Sequence, residues 1–413
     1  MTDTRDIAEA TIAEPFPWPR QTFDPPEVYQ WLREERPVTR VITKGGDPAW
    51  LVTRYDDVRA VLADPRVSAD INNPGLPYMM PGAKEPSQAA GLSFVRMDPP
   101  DHTLYRRLLS KNFMVKRVEA MRPAIQKLVD DTIDAMLASS DHPVDLVQAL
   151  ALPVPSTVLS WILGVRETDR DFFNKATEQM FAMGDGTDPE AMKSALEGQA
   201  SLYAYAAELA AERNAADDPG DDILGQLVKA SQEGAITLKD VVSAGFLLTV
   251  AGHDTTASMI ALGTLTLLQH PDQLAELRAK PELIPDAVEE LLRYLTIVHL
   301  VITRVAAEDI EIGGVVIPAG EGIIPLNFSA NRDDAHYPGA DRFDIHRNAR
   351  DHFAFGYGVH QCLGQPLARV ELHVIFETLL RRIPTLRLAV PVEEVPFKSL
   401  AFINGVNELP VTW

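Results

Sequence analysis

The only cysteine in the chain, Cys362, lies in the stretch FAFGYGVHQCLGQPLAR, Phe353 to Arg369. A lone cysteine is more often a small buried hydrophobe than a ligand, but its surroundings favour chemistry. Gly356, Gly358 and Gly364 flank it on both sides, and glycines permit positive φ and the close approach of a backbone to another body. A helix is predicted to start just after it, and backbone N–H groups at a helix N-terminus stabilise a thiolate. Phe353 and Phe355 supply an apolar wall. Such a thiolate can serve as nucleophile, zinc ligand or haem ligand. Zinc needs three or four protein ligands, and there is no second cysteine. A cysteine hydrolase needs a base, and His360 at two residues' distance does not by itself make a dyad. A haem iron needs one protein ligand, which fits the count best.

Three further groups of residues carry potential chemistry. Ala251-Gly252-His253-Asp254-Thr255-Thr256 falls in the middle of a long apolar helical stretch. An acid buried there costs several kcal/mol (about 2–7 even for a neutral polar group) unless it is paired or functional, and small or hydroxyl residues can loosen the helical ladder. Glu290-Leu-Leu-Arg293 places an acid and a base at i,i+3, ordinarily a surface pair of little energetic weight. His102 and Arg106 are spaced i,i+4 on the helix expected after Asp98-Pro99-Pro100, and a solvated polar face would explain them equally well.

Taken with these groups, Phe355-Gly356-x-Gly358-x-His360-x-Cys362-x-Gly364 resembles the haem-binding loop of the cytochromes P450, the stock example of cysteine-thiolate haem ligation. The resemblance covers almost the whole chain in order and spacing, and its details resemble the soluble actinobacterial branch. It implies haem b with Cys362 as the iron ligand. Phe355, Gly356 and Gly364 would shape the loop, and His102, Arg106, Arg304 and His360 would meet the two propionates. By the same resemblance Ala251 and Gly252 leave room for dioxygen, Thr255 holds the oxygen species and an ordered water, and Asp254 relays protons. Many relatives have Glu where this chain has Asp254, and either acid can do this. Glu290 and Arg293, with Arg342 as third partner, would be structural. The substrate-facing segments of the family fall on Leu247, Ala251, Leu300, Val301, Phe402 and Ile403, with Met79, Met80 and Phe181 in lid regions. All are apolar, so a hydrophobic substrate is expected, such as a macrolide, steroid or other natural product or xenobiotic. Ordinary core packing is the competing explanation for each.

The elements that must position these residues follow from pattern. Thr237 to Asp240 reads as a capping box, and apolar periodicity then runs to His270, where Pro271 stops it. That helix of roughly 30 residues is about 45 Å long at ~1.5 Å per residue. Asp98 is expected to cap a helix opened by Pro99 and Pro100. Ile310–Ile312 and Val315–Ile317 flank Gly313-Gly314, a hairpin signal. Tyr55 to Ala63 and Gln365 to Arg382 are helical, Trp50 to Thr53 is β-like, and Pro74 to Pro86 reads as a loop. The fold class expected is mainly α with a small β region, a single domain over 1–413. The resemblance makes it the cytochrome P450 fold, a triangular helical prism.

Composition bounds the rest. Hydrophobic residues make up 46% and charged residues 23%, with a net charge of −21. Such acidity argues against nucleic-acid and anionic-membrane binding. No signal peptide or membrane span is evident in the N-terminal stretch, and a cytoplasmic monomer is expected. No nicotinamide or flavin fingerprint is present, so electrons are expected from a ferredoxin and an NAD(P)H-ferredoxin reductase. Arg107, Lys111, Lys116 and Arg117 are candidates for the docking patch. The leading expectation is a monooxygenase hydroxylating or epoxidising its substrate. The alternatives are a haem-thiolate enzyme with other chemistry (peroxygenase, oxidative coupling) and a non-catalytic haem-binding sensor or carrier.

Overall fold

The computed structural model describes residues 11–20, 24–82, 84, 94–140, 142–181, 189–298, 302–398 and 403–413. The helices of eight residues or more are α1 Val28–Glu35, α2 Tyr55–Ala63, α3 Asp101–Ser110, α4 Arg122–Ala138, α5 Pro153–Leu163, α6 Arg170–Phe181, α7 Pro189–Ala215, α8 Ile223–Gln232, α9 Leu238–Leu268, α10 Pro271–Ala279, α11 Ile284–Leu295 and α12 Gln365–Arg382. The strands are short: β1 Val38–Ile42, β2 Pro48–Val52, β3 Val67–Ser68, β4 Val144–Asp145, β5 Arg304–Ala306, β6 Ile310–Ile312, β7 Val315–Ile317, β8 Gly322–Pro325, β9 Arg387–Leu388 and β10 Pro410–Thr412. The mainly helical class with minor β structure is thus as expected.

The chain forms two compact units. One comprises Met1–Thr103, Glu289–Cys362 and Ser399–Asn404. It holds a five-stranded sheet in the order β1-β2-β8-β5-β3 and the β6–β7 hairpin. β1 and β2 pair antiparallel, Val38 opposite Val52, whereas β2 and β8 run parallel, Trp50 opposite Ile323. Helix α2 covers this sheet: Tyr55, Val58 and Val61 lie one helical turn apart and pack with Val52, Ile310, Ile323 and Phe353.

The other unit comprises Leu104–Val288, Leu363–Lys398 and Gly405–Trp413. Its centre is α9, which packs against α5, α7, α8 and α12. The helix begins at a capping box: Asp240 N–H donates to the Thr237 hydroxyl and the Asp240 carboxylate accepts from Thr237 N–H. Its C-terminal half, Thr256 through Leu267, is buried without exception, which explains why an apolar stripe gives way there to apolar residues all round. Among the described residues no helix is long and apolar enough to cross a membrane.

One expected cap is corrected. Helix α3 begins at Asp101, and Asp98 does not cap it with its side chain. The Asp98 carboxylate accepts from the Ser68 hydroxyl and from Ala69 N–H at 2.7 Å, so a long-range bond to β3 and the residue after it takes the acid that local pattern had assigned to the helix.

Candidate functional site

Cys362 is exposed at the end of a loop built by internal hydrogen bonds. Its N–H donates to the Phe355 carbonyl at 2.8 Å, and Gly356 N–H donates to Phe353 O at 2.9 Å. Two buried asparagines hold the base of the loop: Phe353 N–H donates to Asn331 Oδ1 at 2.8 Å, and Asn327 Nδ2 donates to Phe353 O at 2.9 Å. Phe353 stacks on Tyr55 with ring centroids 4.4 Å apart. Gly356 and Gly358 have φ of +70° and +72°. A Cβ at Gly358 would lie 2.2 Å from the Leu62 carbonyl oxygen of α2, so both the left-handed backbone and the close approach require glycine there. Three residues after Cys362, α12 begins at Gln365, as its position in sequence suggested. The result is a thiol presented outward on a backbone that cannot easily shift.

Of the basic groups expected to meet the propionates, His102 and Arg304 are buried and His360 is half-buried. His102, on the first turn of α3, is 4.2 Å from His360 between ring centroids. Arg304 is buried, and its Nη1 donates to Thr303 O at 2.9 Å. Arg96, which the sequence reading missed, donates to that same carbonyl at 3.3 Å and to Thr303 Oγ1 at 2.9 Å. Burial, and next the neighbouring Arg96 charge, push the Arg304 guanidinium down to about 10. Two guanidiniums, Arg304 buried and Arg96 half-buried, sharing one neutral carbonyl repel each other. Such an arrangement suits a ligand that brings negative charge, and a haem brings two carboxylates. Arg106, four residues beyond His102 on α3, is half-buried. Among the described residues no three His, Cys, Asp or Glu side chains converge as a metal-ion site would require. One thiol, exposed on a loop held by its own hydrogen bonds, together with the buried Arg304 guanidinium is a donor set that fits an iron porphyrin.

In the helical unit, α9 runs unbroken through Ala251, Gly252, Asp254 and Thr255. Ala251 is exposed, while Gly252 and Thr255 are half-buried. The Thr255 hydroxyl donates to Ala251 O at 2.7 Å, the usual back-bond of a helical threonine. Asp254 is buried, with Oδ1 2.6 Å from Lys398 Nζ. Lys398 is a second residue the sequence reading did not find. His253 is fully buried, and desolvation pushes it down to about 4, so the ring is neutral at physiological pH and adds no charge beside Asp254.

Glu290 and Arg293 are fully buried and bonded twice, Nε to Oε2 at 2.7 Å and Nη2 to Oε1 at 2.8 Å. The third partner is Arg347, not Arg342. Arg347 Nε lies 3.3 Å from Glu290 Oε1. Arg342 keeps its guanidinium at the surface, 75% exposed, paired with Asp344. It offers the cluster only its backbone carbonyl, which accepts from Arg293 Nη2 at 3.4 Å. The two arginines are five residues apart, and the resemblance pointed to the first of them.

The segments expected to face substrate are unevenly placed. Met79 is buried among Phe16, Trp18, Leu51 and Phe328, so it is core packing rather than a lid residue. Met80 beside it is exposed, and Leu247 is half-buried on α9. Ile403 forms a β-bridge with Val298, and Asn404 N–H donates to Ile297 O at 2.8 Å. That brings Ile403 beside the segment leading to Leu300. Leu300, Val301 and Phe402 lie outside the described residues, as does the side chain of Phe181 at the end of α6.

Comparison with known proteins bears on all of this. The cytochrome P450 family profile matches residues 16–385. The chain is 51% identical over 424 residues to cytochrome P450 GfsF of Streptomyces halstedii, covering 100% of both chains. It is 50% identical over 392 residues to cytochrome P450-SU2 of Streptomyces griseolus, covering 95% of this chain and 94% of that one. Similarity extends to the 20-oxo-5-O-mycaminosyltylactone 23-monooxygenase of Streptomyces fradiae, at 42% identity over 99% of this chain and 95% of that one. Among solved structures, that of GfsF superposes with a TM-score of 0.91 at 48% identity, covering 97% of this chain and 100% of the other. The mycinamicin VIII C21 methyl hydroxylase MycCI of Micromonospora griseorubida, bound to mycinamicin VIII, superposes at 0.85 with 40% identity over 96% and 99%. Full-length identity near one half, a shared fold and a donor set suited to one iron porphyrin lead to one conclusion: the chain belongs to the cytochrome P450 family, as a haem b-dependent monooxygenase of the actinobacterial type.

Proposed function

We propose that this monooxygenase hydroxylates a bulky hydrophobic natural product of the macrolide class, using two electrons from a ferredoxin and its NAD(P)H-dependent reductase, with Cys362 as the haem-iron ligand. The observation that carries the site assignment is Cys362 itself: the sole thiol, exposed on a loop whose glycines and asparagine anchors fix its backbone. When bound, the haem supplies dioxygen activation and transfer of one oxygen atom to a C–H bond.

The chain's own residues then divide the work. Cys362 would hold the iron as its thiolate, a form that a nearby helix N-terminus favours and that would supply electron density to the metal. His102, Arg106, Arg304 and His360 would hold the propionates, and Arg96 adds its charge to Arg304. Phe355, Gly356 and Gly364 would shape the loop that presents Cys362. Ala251, exposed on α9, would leave room for dioxygen, whereas a Cβ at Gly252 would lie 3.1 Å from Leu159 Cδ1, so that glycine also serves the packing of α9 on α5. The Thr255 hydroxyl, already donating to Ala251 O, has lone pairs left to accept from a water, and Asp254 moves a proton from solvent toward that water. Glu290, Arg293 and Arg347 hold the fold beneath the loop.

Two relatives support the substrate class, since the Streptomyces fradiae enzyme and MycCI are both named for oxidation of macrolides. The residue types at Met80, Leu247, Leu300, Val301, Phe402 and Ile403, the positions the resemblance assigns to substrate, are all apolar and suit a hydrophobic ligand. For electron supply, Arg107, Lys111, Lys116 and Arg117 are all exposed, with the apolar Met114 and Val115 between them. Among the described residues none of the four forms an ion pair, so their charge is available to an acidic partner. The test is a titration of the ferric enzyme with macrolide lactones, steroids and small aromatics, read as the haem spin-state shift and followed by product analysis with a ferredoxin system. A macrolide that shifts the spin state and is hydroxylated supports the reading. Conversion of small aromatics alone would contradict it.

A further inference from the structure

We propose that Lys398 is a positioning residue for proton delivery, orienting the Asp254 carboxylate on α9. The inference rests on the reading of Asp254 as the proton carrier and adds a partner that this reading does not include.

A buried carboxylate without a partner is costly to keep ionised. Among the described residues, the hydrogen bond to Asp254 is the one from Lys398, Nζ to Oδ1 at 2.6 Å. Holding Oδ1 biases the torsion of the side chain without locking it and leaves Oδ2 as the oxygen that can exchange a proton with water. The lysine side chain is the more open end of the pair, 23% exposed against 10% for the aspartate. The pair therefore stands where the helix interior meets solvent, the place from which a proton must enter.

The backbone around Lys398 is fixed for this task. Lys398 N–H donates to Gly405 O at 2.9 Å, Phe397 bridges Val406, and Asn407 N–H donates to Pro396 O at 2.8 Å. This clasp directs the lysine stem toward α9. A Cβ at Gly405 would lie 2.7 Å from Ser258 Oγ and 3.2 and 3.3 Å from Lys398 Cδ and Cε. Ser258 is one turn beyond Asp254 on the same helix face. A glycine at 405 is thus what lets the stem pass between clasp and helix. The neighbouring His253 is buried and neutral, so no other cation on that turn substitutes for the ammonium.

The experiment compares Lys398→Met, Lys398→Arg, Asp254→Asn and the double variant Lys398→Met/Asp254→Asn in the haem-loaded enzyme. Lys398→Met is expected to lower product per electron pair about tenfold, a smaller loss than the ~10²-fold expected for removing the proton carrier itself, with more peroxide and a larger solvent deuterium isotope effect. Haem content and substrate affinity should stay at wild-type values, and Lys398→Arg should restore coupling. In the Asp254→Asn background Lys398→Met should add nothing. As a readout independent of turnover, the infrared carboxylate band identified by difference with Asp254→Asn should shift in Lys398→Met. Gly405→Ala, which crowds the stem, should give the same signature more weakly. Additive effects in the double variant, or wild-type coupling in Lys398→Met while Asp254→Asn is impaired, would overturn the inference and leave the role of Asp254 standing. Wild-type coupling and isotope effect in Asp254→Asn would remove both. Failure of both Lys398→Met and Lys398→Gln to hold haem would assign the lysine to folding and also overturn it.

Discussion

Two buried acid–base pairs in this protein have the same ingredients and opposite construction. Around Glu290 and Arg293 every hydrogen-bonding position is used. Arg293 donates from Nε and Nη2 to Glu290, and from its Nη1 and Nη2 also to the carbonyls of Asn331, Ala340 and Arg342, which employs all five donors of a guanidinium. Glu290 Oε1 additionally accepts from Asp344 N–H at 2.9 Å and from Arg347. Asp254, in contrast, is held by one flexible lysine at the edge of solvent. A saturated pair is locked because any movement strands several desolvated groups. A pair with one bond can reorient at small cost. The contrast teaches that burial alone does not mark an ion pair as structural; the number of bonds that movement would break does.

The largest effect that would test this contrast is on the saturated pair. Arg293→Met leaves a buried Glu290 charge partly unpaired, at a cost of about 3–5 kcal/mol. It should sharply lower the denaturant midpoint and the yield of haem-loaded protein. A midpoint within experimental scatter of wild type would erase the distinction between the two regions. Asp254→Asn, by comparison, should leave the midpoint nearly unchanged while reducing product formation by about 10²-fold, the lower range for a lost proton-transfer group. Stopped-flow and product assays on one preparation would show whether stability and turnover separate in this way.

Glu371 on α12 sharpens the comparison, because it is a buried acid with no basic partner among the described residues. Desolvation raises it to about 8. Its folded pKa exceeds its unfolded value near 4.3, so the unfolded state releases this proton first as pH rises. The stability linked to it is present below about pH 4 and is lost as pH climbs toward 8, with a slope of at most about 1.4 kcal/mol per unit. Glu371→Gln should flatten that part of the pH–stability curve and make the variant the more stable protein at pH 8. Parallel curves for the two proteins would count against a buried, protonated Glu371. The smallest effect belongs to Arg342. Its exposed guanidinium predicts that Arg342→Ala changes stability by no more than about 0.5 kcal/mol, whereas Arg347→Ala costs clearly more. Equal costs in denaturation would return Arg342 to the cluster.

Much of this was legible in the sequence where the signal was local. The capping box at Thr237 and the full run of α12 followed from residues within a few positions of each other. So did the i,i+3 spacing of Glu290 and Arg293 and the glycine pattern around Cys362. What failed or was missed depends on chain distance. Asp98 was given to its own helix and is instead bonded to Ser68 and Ala69. Arg347 reaches Glu290 across 57 residues and Lys398 reaches Asp254 across 144. Arg96 meets Thr303 only because the chain returns beside it. The resemblance places Met79 in a lid region, yet its side chain is anchored in the core, as is that of Leu76 nearby. No periodicity encodes such pairings; they arise when tertiary packing brings distant polar groups together and burial obliges them to bond.

The central claim, that Cys362 is the haem-iron ligand, is tested most directly by the absorption spectrum of the dithionite-reduced protein under carbon monoxide, recorded for wild type and for Cys362→Ala. The account predicts a strongly red-shifted Soret band in the wild type that is absent from the variant; the same band in both proteins, or no haem in the wild type, would contradict it.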